Sequence, residues 1–228
     1  MAAIVWDEEG TKRYETGIDH GVLYVYDAKS ETKGYKTGVA WNGLTSVSES
    51  PEGAESNPIY ADNIKYLDLV SAEEFKATIE AYTYPDELGE CDGTASLVAG
   101  MEIGQQKRSK FGLCYRTNVG NDVDSDAGYK LHFIYGCSAA PSQKGYQTKS
   151  DSPEAITFSW EVSTIPVPVK IGEVEYKPTA TVTVDSTKVT NKEYLKALED
   201  YCYGTASKPA KLPMPADIYK ILSGEEVA

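Results

Sequence analysis

The strongest constraint on this chain is a period of two. Ile156, Phe158, Trp160 and Val162 alternate with Thr157, Ser159, Glu161 and Ser163. Successive side chains of a strand point to opposite faces, so this pattern describes a strand with one dry side and one wet side. Ala180, Val182 and Val184 against Thr179, Thr181 and Thr183 repeat the design. Phe75, Ala77, Ile79 and Ala81 against Lys76, Thr78, Glu80 and Tyr82 give a third case. Phe111, Leu113 and Tyr115 form a fourth, and Leu131, Phe133 and Tyr135 a fifth. By contrast, Gly21 to Tyr26 (GVLYVY) is apolar on both sides and belongs in the middle of a sheet. The expected fold is mainly β, a β-sandwich or partial barrel, formed as one domain over residues 1–228.

One segment breaks the period. Asn191 to Tyr203 places Leu195, Leu198, Tyr201 and Cys202 on a single helical stripe. Thr190 with Glu193 reads as a capping box and Gly204 as a stop, predicting one packed α-helix over 190–204. Residues 205–228 then read as a C-terminal arm with a short helix from Ala216 to Leu222, and Pro85 to Cys91 as a helical turn. Residues 1–16 read as an N-terminal arm.

The chain carries a formal charge of −13, which opposes tight binding to nucleic acid or to an anionic membrane, since both depend on Lys and Arg. Tyr outnumbers Phe by 17 to 4, which favours half-wet strands or a subunit that meets neighbours. Cys91, Cys114, Cys137 and Cys202 form no CxxC pair, and there are only two histidines, so a zinc site lacks support. Met1 opens into Ala2-Ala3-Ile4-Val5-Trp6-Asp7-Glu8, predicting no signal peptide and a cytosolic site of synthesis with reduced thiols.

The stretch from Gly38 to Leu69 reads differently from the rest. Between Ser46 and Pro58 little is available for a core beyond Val47 and Ala54. This predicts a long loop over 46–58, followed by an aromatic-rich strand. A long ordered loop that does not serve its own fold usually serves a partner, a ligand or a lid. Asn42-Gly43 could turn a hairpin, but the preferred reading is a strand that runs through with a kink at Gly43.

The sequence WNGLTSVSESPEGAESNPIYADNIKY resembles the signature of the major tail proteins of long-tailed bacteriophages. The resemblance continues, in order, through IEAYTYPDELGECDG, KFGLCYRTNVGND, GYKLHFIYG, SPEAITFSWEVST, PTATVTVDST and LPMPADIYKIL, so nearly the whole chain takes part. It rests on many weak matches in one order, with no single diagnostic motif.

The resemblance implies a structural virion protein that stacks as hexameric rings into the tail tube, each subunit lending strands to a shared oligomeric β-barrel. DNA would pass through the tube without specific binding. The implied partners are other copies of the chain, a tape measure protein, a tail terminator and distal tail proteins. The implied location is the virion tail. Contacts between rings would fall to the 46–58 loop, with Ser48, Glu49, Glu52, Glu55, Asn57 and Tyr60 as candidate residues. Candidates for the lumen wall are Thr157, Ser159, Glu161, Thr181 and Thr183. Two alternatives stand beside this reading. One is a monomeric β-sandwich binding module that grips a sugar or peptide with Tyr82 and Tyr84. The other is the tube of a contractile tail or injection particle.

No catalytic role, cofactor or metal is expected. Asp19-His20 lacks an accompanying nucleophile, and His132 alternates within a strand. Asp122, Asp124 and Asp126 are spaced as in a calcium loop, but Ala127 and Phe133 stand where an EF-hand needs Gly and Glu. They read as a polar hairpin loop. Lys107-Arg108-Ser109-Lys110 is the one dense basic run, and reads as a solvated strand entry or a salt-bridge partner.

Overall fold

The computed structural model describes residues 4–29, 33–148 and 154–225. In chain order, the strands are β1 (Tyr14–Asp27), β2 (Gly34–Tyr35), β3 (Val39–Trp41), β4 (Leu44–Glu52), β5 (Ser56–Ala61), β6 (Ile64–Val70) and β7 (Glu74–Ala81). A 3₁₀ turn at Asp86–Leu88 runs into a short helix, α1 (Gly89–Asp92). Then come β8 (Ala95–Val98), β9 (Met101–Ile103), β10 (Phe111–Gly120), β11 (Gly128–Ala139), β12 (Phe158–Ser163), β13 (Val167–Ile171), β14 (Val174–Thr179) and β15 (Thr181–Asp185). Helices α2 (Lys192–Tyr203) and α3 (Pro215–Ser223) close the chain.

The protein is mainly β, as the alternation predicts. Its strands form several antiparallel sheets, none closed into a barrel. One broad layer contains β3, β1, β10, β11 and β15. A second contains the end of β11, then β12, β7 and β4. Strand β11 belongs to both, because it bends at Gly136, where φ is +60°. A Cβ at that position would lie 2.3 Å from the Ile165 carbonyl oxygen, so only glycine allows this close approach.

The bend rolls the two layers over a shared core. Leu23, Trp41, Ile79, Phe111, Leu113, Ile134, Trp160 and Val162 meet there. Trp41 and Trp160 pack edge to face, with ring centres 5.5 Å apart. A second core lies on the other side of the broad layer, where Tyr24, Cys114, Leu131, Phe133 and Tyr135 pack against Leu195, Leu198, Cys202, Ile218 and Ile221. Gly21–Val25 of β1 and Phe111–Tyr115 of β10 are therefore buried on both faces, as the GVLYVY run predicts for β1.

The helical prediction needs two corrections. The N-cap of α2 is Asn191, not Thr190, and its side chain accepts from the Glu193 amide at 2.9 Å. The segment after α2 is not a free arm, since Ala210, Leu212, Ile218 and Ile221 are buried. The Tyr135 hydroxyl donates to the Pro213 carbonyl at 2.9 Å, and Asp217 caps α3 by accepting from the Met214 amide. Residues 226–228 of that predicted arm, like 1–3 of the N-terminal one, lie outside the described residues. Tyr14 to Thr16, placed in the N-terminal arm by sequence, already belong to β1. Strand β12 starts at Phe158, so Ile156 is 37% exposed and outside the predicted dry stripe.

Candidate assembly surfaces

The predicted 46–58 loop is not a loop. Strand β4 occupies Leu44–Glu52 and pairs along its length with β7, while β5 pairs with β6. Together these strands make one long hairpin from Leu44 to Ala81 in two stages. The sequence hides this because serine, glutamate and proline disfavour strands, yet an edge strand tolerates them on its wet side. Asn42-Gly43 forms the corner where the chain leaves the first layer for the second. Strand β3 pairs with β1 and β4 with β7, so the residues make neither a hairpin nor one continuous kinked strand: a turn at Asn42-Gly43, with Gly43 at φ +77°, separates two strands of different layers.

The two stages meet at a bulge. Gly53 has φ +90° and Ala54 φ +54°, and a Cβ on Gly53 would lie 2.2 Å from the Ala72 carbonyl oxygen. Two hydrogen bonds lock the opposite strand here: Ser71 N to Glu55 O, and Glu55 N to Ser71 Oγ, each 3.1 Å. Beyond the bulge, β5 and β6 project from the subunit. Asp62 and Asn63, both at positive φ, close the tip between paired Ala61 and Ile64. Two positive-φ residues match the twist that a two-residue hairpin turn needs.

Every residue of β5 and β6 is exposed except half-buried Ala61. The register divides the projecting hairpin into two faces. On one, Ser56 and Asp68 stand with Pro58 and exposed Val70, and Asp68 accepts from both Ser56 and Lys65. Asn57, Ile59, Leu67 and Leu69 share the other, with Ile59 directly opposite Leu67. A two-stranded hairpin is marginal in water, and this one leaves its apolar face uncovered.

A second surface is the outer face of the β4–β7–β12 layer. Trp160 and Val162 point into the core, so Ser159, Glu161 and Ser163 point out. Register places three rungs side by side: Ser46, Glu80, Ser159; Ser48, Thr78, Glu161; and Ser50, Lys76, Ser163. Ser46 Oγ donates to Glu80 at 2.9 Å. Lys76 binds Glu52, whose hydrogen bond holds its ammonium pKa above the usual lysine value. The face is thus hydroxyl-rich, and its remaining charge, from Glu74, Glu80 and Glu161, is negative. Both borders of this layer are open among the described residues. β4 pairs only with β7, and β12 is free on its outer side from Phe158 to Trp160.

The lumen candidates do not share a face. Thr157 lies just before β12 and is exposed. Thr181 and Thr183 pair with Ile134 and His132 on β11, on the side turned toward the sandwich core. Ser159 and Glu161 point the opposite way. The contact candidates also separate. Ser48 lies on the outer face opposite Thr78. Glu49 turns inward and accepts from the Tyr115 hydroxyl at 2.6 Å. Glu52 pairs with Lys76, and Glu55 holds the bulge. Only Asn57 and Tyr60 stand on the projecting hairpin. Sequence reasoning missed Ile59, Leu67 and Leu69 as one surface, because their grouping depends on the hairpin register.

Other readings resolve into structural roles. His132 stacks on Tyr115 at 4.7 Å, and its Nε2 meets Thr117 Oγ1 at 2.9 Å. Burial pushes its pKa below the ordinary histidine value. Asp19 takes two hydrogen bonds from Arg116, at 2.7 and 2.8 Å, and a third contact from His20 at 2.9 Å. The Arg116 guanidinium holds that carboxyl below the usual range. Asp122 anchors the N-terminal segment by accepting from the Gly10 and Lys12 amides, while Asn121 and Asp124 cap turns in their own loop. Among the described residues, no three His, Cys, Asp or Glu side chains gather as a metal-ligand set. Arg108 donates to the Ala139 carbonyl at 2.8 Å. The four cysteines are buried and free. No described helix is long and apolar enough to cross a membrane.

No family model matches the chain, and no curated protein matches it in sequence. Among solved structures, a chain of the "Cryo-EM structure of the anti-feeding prophage (AFP) baseplate, 6-fold symmetrised" aligns with a TM-score of 0.35 and 8% identity. The alignment covers 82% of this chain and 99% of that one.

Proposed function

We propose that this protein is a non-catalytic, self-assembling subunit of a phage-type tail tube. The observation that carries the reading is the β5–β6 hairpin, which projects an apolar face that its own subunit leaves bare. Such a face is stable in water only when something covers it, and stacking on a second ring of the same chain provides the cover. The open borders at β4 and β12 supply the lateral contact. Edge-to-edge pairing around a ring extends one sheet into a continuous wall and removes both free edges. The hexameric count comes from the sequence resemblance alone, as do the tape measure, terminator and distal tail partners and the place in the virion tail.

In this reading the outer face of β4, β7 and β12 lines the bore. Glu161 and Ser159 are on that wall, and Thr181 and Thr183 are not. Carboxylates repel phosphate within roughly 8 Å at physiological salt, and among the described residues the wall offers no unpaired cation to retain it, which centres a duplex and keeps it from sticking. The monomeric binding-module alternative loses half of its proposed grip. Tyr84 packs edge-on against Phe158 and Trp160, each at 5.3 Å, and only Tyr82 stays well exposed.

The test is negative-stain microscopy of the concentrated protein beside a variant in which 56–70 is replaced by a short Gly-Ser turn. Expected are tubes of uniform width for the full chain and a folded monomer for the variant. A full chain that remains monomeric at every concentration, or a variant that still builds tubes, overturns the reading.

A further inference from the structure

A cleft of about 540 Å³ opens between the Asn42-Gly43 corner and the end of α2. Ile18, Val22, Trp41, Leu44 and Tyr203 give it apolar walls, and His20 stands at its rim. The Tyr203 hydroxyl is buried there without a hydrogen-bond partner. The structure also presents an apolar segment with nothing to pack on. Ile4, Val5 and Trp6 are 74%, 65% and 75% exposed.

The segment does not fill the cleft of its own subunit, since Trp6 stands 75% exposed. Gly10 and Lys12 are pinned to Asp122, near the end of β1 where Tyr14 pairs with Gly120. His20 lies six residues further along, about 20 Å at ~3.3 Å per residue. A turn at Glu8–Thr11, closed by Thr11 N to Glu8 O, leaves only Asp7, two Cα steps or roughly 7 Å of chain, between it and Trp6. Another copy is the remaining source of this segment.

Charge is consistent with the same occupant. Asp7, Glu8 and Glu9 follow Trp6 directly, and Asp7 pairs with its own Lys12 at 3.4 Å, so Glu8 and Glu9 are the charges left for a partner. Asp19, which also lines the cleft, is taken up by Arg116. Exposed Lys208 and Lys211 flank Ala210, which lines the cleft, and both border the neighbouring hollow. An indole seated in the cleft brings the acidic run alongside these lysines, within the screening length at which opposite charges still attract.

We propose that Trp6 of one copy seats in this cleft of a second copy, with its Glu8 and Glu9 beside Lys208 and Lys211. The inference rests on the self-assembly reading and names one of its contacts.

The experiment mixes two full-length variants, Val5→Cys and Asn42→Cys, under mild oxidation at concentrations that give tubes. The native cysteines are buried, so the introduced thiols are the accessible ones. A mixed-disulfide dimer is expected, falling at least tenfold when the Val5→Cys chain also carries Trp6→Ala. That change leaves the melting temperature unmoved, because Trp6 packs on nothing in its own subunit. Val174→Cys, exposed elsewhere, serves as the control for random collision. Tubes without the Val5–Asn42 cross-link overturn the inference and leave the tube reading standing. So does a cross-link made instead by Tyr60→Cys on the hairpin. A specific cross-link without tubes keeps the inference and overturns the tube reading.

Discussion

The Tyr115 hydroxyl donates to Glu49 Oε1 at 2.6 Å, tying the inner face of β10 to the edge strand β4 across the mouth of the sandwich. Burial, and then this carboxylate, push the phenol pKa above its ordinary value. The bond explains why β4, so poor in apolar residues, stays on the sheet. Tyr115→Phe is expected to cost about 0.5–1.5 kcal/mol, because it removes one hydrogen bond to a carboxylate that water can still reach. Urea unfolding of the two proteins measures it. Unchanged stability would show that water replaces the hydroxyl at no cost.

The same contact distinguishes two deletions. Removing Glu49–Asn57 takes out half of β4 and the partner of Tyr115, so the remainder is expected to unfold or melt far earlier. Removing 56–70 takes only exposed strand and should leave the thermal midpoint within a few degrees. Circular dichroism melts of both variants give the comparison. A well-folded Glu49–Asn57 deletion would mean that β4 is dispensable.

Ile59→Ser with Leu67→Ser should leave monomer stability within about 0.5 kcal/mol, since both sites are exposed. Tube formation should fall sharply, because the uncovered face has lost its apolar character. Light scattering against concentration reads the change. Assembly equal to that of the unmodified chain would assign the stacking contact to another surface.

His132 gives a pH dependence whose sign follows from its burial. Its folded pKa lies below the ordinary value of 6.5, so the unfolded chain binds the extra proton first as pH falls. The stability it contributes is complete above about 6.5 and is lost on acidification from there toward the folded pKa. Thermal midpoints measured from pH 7.5 to 5 should decline, and His132→Gln should flatten that decline. An identical slope in the variant would assign the effect to other groups.

Glu80→Lys with Glu161→Lys reverses the charge of the outer face of β12 and β7. Assembled tubes of the variant are expected to retain duplex DNA at low salt and release it as salt rises. Filter binding checks this, with the unmodified tube as reference. No retention by the variant would place these residues away from the bore.

Much of the fold was legible in the residues. The alternations over 75–82, 111–115, 131–135, 156–163 and 179–184 became strands over most of their length, because burial stabilises by roughly 1.5–3 kcal/mol for every large apolar side chain, with 111–115 and 131–135 buried on both faces and not on one. The helix over 190–204 was equally plain. The stretch 46–58 was not, because its strand character comes from pairing with β7 and not from its own propensities. In the C-terminal segment the helix expected over Ala216–Leu222 is present as α3, but its packing was not legible, for a similar reason. Its short apolar runs become core only once Tyr24, Phe133 and Tyr135 are placed beneath them.

The sequence by itself determined an acidic, mainly β chain with a packed helix, since side-chain period and charge are local properties of the residue order. Which residues stand together on a surface is a long-range property, set by register and by the bend at Gly136. That is why only the tertiary structure put Glu161 and Thr183 on opposite faces, and why only it gathered Ile59, Leu67 and Leu69 on one bare side of a projecting hairpin.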